Sequence, residues 1–247
     1  MLSAGAPFTL TGDVIRLVLF DIDGTLIRTG GAGVEAFARA FAEVFGVRGG
    51  VERIRFAGRT DVSLVREMMR LSGVPETAPN FDRFFEAYVT HLRELMRGCR
   101  GEVCPGVVEF IAQLRALTPP PLIGLLTGNI RAGAEIKLRH FQLWDLFHVG
   151  AFADDHEDRN QIAVVARERG SRALREPLRG EQILVVGDTV HDIRCARAIG
   201  ARVLAVATGG DSMGELQRHQ PDWLVRDLRE VSARELCGVA PARQPAA

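Results

Sequence analysis

Hydrophobic and polar positions alternate along the chain between two periods. The segment VIRLVLF at 14–20 is short, apolar and β-branched, and reads as a fully buried strand of a parallel sheet. Runs of the same kind recur at 122–126, 182–186 and 203–206, with a weaker one at 148–153. Between them Val107, Phe110, Ile111, Leu114 and Leu117 follow helical spacing, as do the residues of KLRHF and IAVVARERG. Strands alternating with helices predict an α/β fold with a doubly wound, mainly parallel sheet.

From Gly31 to Gly101 the pattern is helical throughout. Val34, Phe37, Ala38, Phe41 and Phe45 mark one amphipathic helix, and Phe81, Phe84, Phe85, Tyr88, Leu92 and Leu95 mark another. A shorter helix at 62–71 lies between them, closed by Gly73 and Pro75. The division this predicts is a discontinuous core of residues 1–30 and 102–236, an inserted helical cap at 31–101, and a flexible tail at 237–247. The aromatic residues concentrated in the insertion are expected to form its core.

Composition narrows the class. With 47% hydrophobic residues and 31 basic against 31 acidic side chains, the chain is neither disordered nor a polyelectrolyte, so no nucleic-acid partner is expected. No apolar run approaches the roughly 18 residues of a membrane span, and MLSAGAPFTL lacks a basic region ahead of an apolar one. The expectation is a soluble, unexported, cytoplasmic protein with no membrane partner. Cys99, Cys104, Cys195 and Cys237 are too scattered for a disulfide framework, and no second paired motif completes a zinc site around the first two. Lys137 is the single lysine.

In an open parallel sheet, ligands bind beyond the carboxyl ends of the strands. The first apolar run ends in Asp21-Ile22-Asp23-Gly24-Thr25 and the second in Thr127-Gly128-Asn129; Arg159 follows the weaker run, and Asp188 and Asp192 follow the next. Asp21 and Asp23 are two residues apart, so on extended backbone both carboxylates point to one side, a pair suited to nucleophile and acid/base. Four carboxylates converging without a cation would repel one another, whereas magnesium would hold them and screen an incoming phosphate. Thr127, Gly128 and Asn129 offer a hydroxyl and backbone N–H groups to phosphate oxygens at a helix start. Arg159 supplies a fixed positive charge for the nucleophile and the transferring group. Each fragment also has a plain structural reading: a turn or calcium loop for DIDG, a helix cap for TGN, a solvated helix start for GDTVHD.

In order and placement these motifs resemble the haloacid dehalogenase-like superfamily, specifically its helical-cap, phosphoglycolate phosphatase-like branch, over about residues 13 to 235. DIDGTL at 21–26, LLTGN at 125–129 and VVGDTVHD at 185–192 match its first, second and fourth motifs. The resemblance implies a Rossmann-like core, with Asp21 as the nucleophile that becomes an aspartyl phosphate and Asp23 as the acid/base. It further implies Mg²⁺ held by the Asp21 carboxylate, the Asp23 backbone carbonyl and Asp188, with Asp192 as a further or outer ligand. Thr127 would bind the phosphoryl group together with Gly24, Thr25, Gly128 and Asn129. The third motif departs from the common pattern, reading Asp158-Arg159-Asn160 where lysine is usual. Arg159 is the favoured cation there, with Lys137 the alternative.

Asp23 argues against a dehalogenase, and no lysine lies in the insertion to form the Schiff base of a phosphonatase. What remains is a phosphatase acting on a small phosphorylated metabolite, of phosphoglycolate or sugar-phosphate type. A phosphoglucomutase-like phosphotransferase and a non-catalytic phosphate/Mg²⁺ binding module are the alternatives. Gly58-Arg59-Thr60-Asp61 resembles a substrate-selecting cap loop, with Arg59 the contacting residue, although Thr60 or Asp61 could equally cap the helix that follows. Gly30 to Gly33 reads as a hinge, and His191 as an exposed polar side chain beside the acidic cluster. Monomer and homodimer are both compatible with the pattern.

Overall fold

A computed structural model describes residues 14–238. Its centre is β1 (Leu17–Phe20), every residue of which is buried. Around it lies a six-stranded sheet comprising β4 (Leu122–Leu126), β5 (Val149–Ala151), β6 (Ile183–Gly187), β7 (Arg202–Val206) and β8 (Trp223–Val225), in the order β5-β4-β1-β6-β7-β8. All pairings are parallel, with Phe20 in register with Leu125 on one side and Val186 on the other. The expected doubly wound sheet is therefore present. Two hydrophobic clusters cover its faces. Val18, Phe20, Phe110 and Val186 belong to one, and Leu17, Leu19, Ile162 and Val185 to the other, as alternation along buried strands requires.

Strand order reverses at β1, since the chain leaves it for β4 and β5 on one side and returns to β6, β7 and β8 on the other. That reversal opens a crevice beyond the carboxyl ends of β1, β4 and β6. The helices α4 (Val107–Arg115), α5 (Arg131–His140), α6 (Arg159–Leu174), α7 (Val190–Ala198), α8 (Met213–Arg218) and α9 (Ala233–Cys237) connect or follow the strands.

Three elements depart from the sequence reading. β8 was not anticipated; it is three half-buried residues that gain strand geometry only by pairing with β7. A two-stranded antiparallel ribbon of β2 (Ile27–Arg28) and β3 (Glu102–Val103) also went unread, because each strand has two residues and the partners lie far apart in sequence. The expected tail at 237–247 starts too early: Cys237 is fully buried and ends α9, while residues from 239 onward lie outside the described residues.

Between the two ribbon strands run α1 (Ala32–Phe45), α2 (Asp61–Ser72) and α3 (Ala78–Arg97). Phe84 on α3 sits 4.8 Å, centroid to centroid, from both Phe37 and Phe41 on α1. The aromatic stripe thus forms a cluster of its own, with Tyr88, Leu92 and Met69. α2 starts where Thr60 caps it, the hydroxyl accepting from Ser63 N at 3.3 Å, and stops at Gly73 in the left-handed conformation. The helical segment lies over the crevice and is tied to the sheet by polar contacts. Arg66 reaches Glu157 at 2.9 Å, Arg55 pairs with Asp211, and the Thr60 hydroxyl donates to the Glu157 carbonyl at 2.8 Å.

Candidate active site

Beyond β1 the chain turns sharply. Thr25, Leu26 and Ile27 all donate backbone bonds to the Ile22 carbonyl, which curls the DIDGT segment into one tight turn. Gly24 closes it at φ +87°, and a Cβ there would lie 2.5 Å from Asp188 Oδ2 and 2.8 Å from Gly209 Cα. Only glycine satisfies both the conformation and the space.

The turn gives the two carboxylates different cationic partners. Asp21 is buried and pairs with the Arg159 guanidinium at 2.9 Å. Asp23 is more open; its Oδ2 accepts from Lys137 Nζ at 2.6 Å and from Asn129 Nδ2 at 2.9 Å. Lys137 also donates to Asn129 Oδ1 at 2.6 Å. The sequence offers Lys137 and Arg159 as alternatives for one charge, but both face the crevice, each on its own aspartate. Lys137 reaches it from the buried face of α5, a placement that helix periodicity alone did not point to.

Asp188 follows β6, and its side chain accepts from the Thr25 hydroxyl at 2.8 Å and from Gly210 N at 2.5 Å. Asp192 lies on the first turn of α7. Its Oδ2 accepts from Thr189 N and Oγ1, at 3.0 and 2.6 Å, and its Oδ1 receives the Arg159 guanidinium at 2.5 Å. The capping box of α7 and the clamp on Arg159 thus share one carboxylate. Arg159 also donates to the Gly58 carbonyl at 3.1 Å, linking it to the helical segment.

Oxygens of Asp21, Asp188 and Asp192 lie within 4.8 Å of one another, all buried, and Arg159 is the cation paired with two of them. Burial raises Asp21 to about 6, with Arg159 opposing the shift and Asp192 and Asp23 adding to it. Burial, with Asp21 and Asp192, pushes Asp188 well above the ordinary carboxylate range despite its two donors. For Arg159 burial works against the charge, but Asp192 and Asp21 outweigh it and the guanidinium stays protonated. Three hard oxygen donors with an excess of negative charge fit a divalent cation such as Mg²⁺. The Asp23 carboxylate lies outside this group, turned to Lys137. Asp192 already has both oxygens engaged.

The second strand end behaves differently from its sequence reading. Thr127 is fully buried, and its hydroxyl oxygen accepts from Asn129 Nδ2 at 2.9 Å and Asn129 N at 3.3 Å, so the hydroxyl proton is left to donate. Thr25, expected on phosphate, turns its hydroxyl to Asp188 because the tight turn points it back under the loop. Gly128 packs against the helical segment: a Cβ there would lie 2.2 Å from the Arg59 carbonyl oxygen. Arg59 itself borders the crevice, but its guanidinium pairs with Glu67 and bonds the Ser63 carbonyl at 3.2 Å.

The sequence places Asp61 in a substrate-selecting loop, with Thr60 or Asp61 as an alternative cap of the next helix; Thr60 is the cap, and Asp61 has another place. Its N–H donates to the Gly128 carbonyl at 2.7 Å and its carboxylate accepts from Ile130 N at 2.8 Å, stitching α2 to the turn after β4. Burial raises it to about 7, with Lys137 opposing. His191 is partly buried beside Gly58, and burial with the Arg159 charge lowers its pKa. Under the helical segment remains a cavity of about 290 Å³, bordered by Asp21, Asp23, Asn129, Lys137 and Arg159 below and by α1, α2 and α3 above.

Among described residues no helix is long and apolar enough to cross a membrane. The model of the haloacid dehalogenase-like hydrolase family matches residues 18–206. A probable phosphatase, IndB, of Dickeya dadantii is 26% identical over 87% of this chain and 91% of its own length. A phosphoglycolate phosphatase of Synechococcus elongatus is 28% identical over 85% of this chain and 92% of its own. The crystal structure of CbbY from Rhodobacter sphaeroides in complex with phosphate superposes with a TM-score of 0.68 at 19% identity, covering 91% of this chain and all of that one.

Proposed function

The chain belongs to the haloacid dehalogenase-like hydrolases, and from that membership we propose that it is a Mg²⁺-dependent phosphatase of a small phosphate monoester, phosphoglycolate or sugar-phosphate in type, working through an aspartyl phosphate. The observation that carries the reading is the buried trio of Asp21, Asp188 and Asp192 beside a separate Asp23–Lys137 ion pair, both under one cavity. Asp21, Asp188 and the Asp23 backbone carbonyl would hold the cation, with Asp192 fixing Asp21 through Arg159. When bound, Mg²⁺ supplies charge neutralisation for the phosphoryl oxygens.

In this reading the Asp21 carboxylate attacks phosphorus as the ester P–O bond breaks, and the protonated Asp23 carboxyl gives its proton to the leaving oxygen. Asp23 then takes a proton from the water that attacks the aspartyl phosphate, releasing inorganic phosphate and restoring Asp21. Lys137 and Asn129 hold the Asp23 carboxylate in position for both transfers. Arg159 keeps Asp21 oriented and its charge compensated, and the Thr127 hydroxyl, with the Gly128 and Asn129 turn, supports the transferring group. The helical segment at 31–101 acts as the cap over this chemistry, with Gly30 and Gly31, both at positive φ, at its junction with the core. A reducing compartment, the cytoplasm, suits the four free cysteines.

The test is phosphate release from a panel of small phosphoesters with Mg²⁺, for the wild type, for Asp21→Asn and in EDTA. Loss of turnover in both controls supports the reading; turnover that persists in Asp21→Asn rejects it, and isomerised product without free phosphate points to a phosphotransferase instead.

A further inference from the structure

The cavity above Asp21 is chemically divided. Its floor is polar, but its roof is apolar: Phe37 and Phe56 meet edge to face at 5.2 Å, with Tyr88, Leu64 and Val34 around them. Phe37 and Tyr88 belong to the core of the helical segment and cannot turn away. Among described residues, four cations border the cavity, and each is already paired with a carboxylate. Arg28 pairs with Glu102 and also donates to the Thr208 carbonyl; Arg59 pairs with Glu67, Lys137 with Asp23, and Arg159 with Asp21 and Asp192. Asp61 adds a further carboxyl group to the same wall.

A leaving group that carried its own anion, a carboxylate or a second phosphate, would find each bordering cation already engaged and would have to compete with that cation's carboxylate or lie unpaired beside it. An apolar face meets no such penalty and buries against the rings. Size agrees, because a cavity of about 150 Å³ accommodates benzene, and 290 Å³ leaves room for a phosphoryl group besides one ring.

Building on the phosphatase reading and narrowing its substrate range, we propose that the substrate's leaving group is an uncharged alcohol with an apolar face about one ring in size, seated against Phe37, Phe56 and Tyr88, and that esters with a second anionic group, phosphoglycolate among them, are selected against. The experiment compares kcat/KM of the Mg²⁺-loaded enzyme for benzyl phosphate, methyl phosphate, 2-phosphoglycolate and pyrophosphate. Benzyl phosphate is expected to exceed 2-phosphoglycolate and pyrophosphate, the two substrates with a second anionic group, at least tenfold. Phe56, half-buried in the loop before α2, is the wall residue to truncate. Phe56→Ala, with folding checked by circular dichroism, should lower kcat/KM for benzyl phosphate chiefly through KM, and at least fivefold more than for methyl phosphate. If 2-phosphoglycolate or pyrophosphate is hydrolysed as well as benzyl phosphate, or if Phe56→Ala lowers benzyl and methyl esters equally, the proposal is overturned while the phosphatase reading stands. If no ester is hydrolysed, or Asp21→Asn retains full turnover, the phosphatase reading fails and this proposal with it.

Discussion

Replacing Asp61 by Asn should make the protein more stable at pH 8 and no more stable at pH 4. The folded structure holds this carboxyl at about 7, against an ordinary 3.8, because ionising it in the cavity wall costs more than Lys137 and the Ile130 N–H return. For an acid raised in the folded state, the stabilising contribution is complete below the unfolded value and is lost as pH rises through the folded one. Wild-type stability attributable to Asp61 therefore drains away between about pH 4 and 7. A difference of about three pKa units corresponds to ~4 kcal/mol at pH 8, and the residue's partial contact with solvent reduces it to roughly 2 kcal/mol. Asn keeps the shape and an oxygen to accept from Ile130 N, so the charge is the main thing removed. At about 2–4 °C per kcal/mol for a chain of this size, Tm should rise by roughly 4–8 °C at pH 8. Thermal melts in EDTA from pH 4 to 8, wild type beside Asp61→Asn, measure this directly. The shifts of Asp21 and Asp188 are common to both proteins and cancel in the difference. A gain that is absent at pH 8, or equally large at pH 4, would refute the reasoning.

Other consequences follow from the same geometry. Gly24→Ala meets Asp188 and forces an L-residue to φ +87°, so denaturant unfolding should show a loss of about 2–5 kcal/mol, the sum of the left-handed penalty and overpacking; a change under about 0.5 kcal/mol would contradict it. Arg159→Met strips the partner from two buried carboxylates and should cost roughly 3–5 kcal/mol at pH 8, less at pH 5 where Asp21 can protonate, as Tm comparisons at the two pH values will show. Asp23→Asn should lower kcat by about 10²–10⁴, the usual worth of a general acid/base, with the fold intact by circular dichroism; unchanged kcat would remove Asp23 from the chemistry. Added Mg²⁺ should raise Tm at pH 8 and progressively lose that effect below about pH 6, because protons on Asp21 compete with the cation; a pH-independent shift would place the ion elsewhere.

How much of this was readable in advance varies by element. The strand at 122–126 coincides with β4 to the residue, since a strand buried on both faces has to be apolar throughout and β4 is bounded by Pro121 and Thr127. β8 and the β2–β3 ribbon were invisible, because two or three residues carry no period and their geometry comes from a partner remote in sequence. In the site, the acidic strand ends were legible from their position alone. The pairing of Lys137 with Asp23, the turning of the Thr25 hydroxyl to Asp188 and the engagement of Arg59 by Glu67 were not.

The sequence by itself determined which residue types stand at the strand ends and which of the longer segments are helix or strand, because burial period and turn chemistry are local properties of the chain. Only the tertiary structure decided which cation serves which aspartate, and that the roof of the cavity is apolar with its cations already paired. Those outcomes depend on distances between side chains 114 positions apart for Asp23 and Lys137 and further still for Asp21 and Arg159, set by how α1 to α3 pack over the switch point of the sheet. An ion pair in a buried cavity is chosen by proximity and desolvation, and neither quantity exists until the chain has folded.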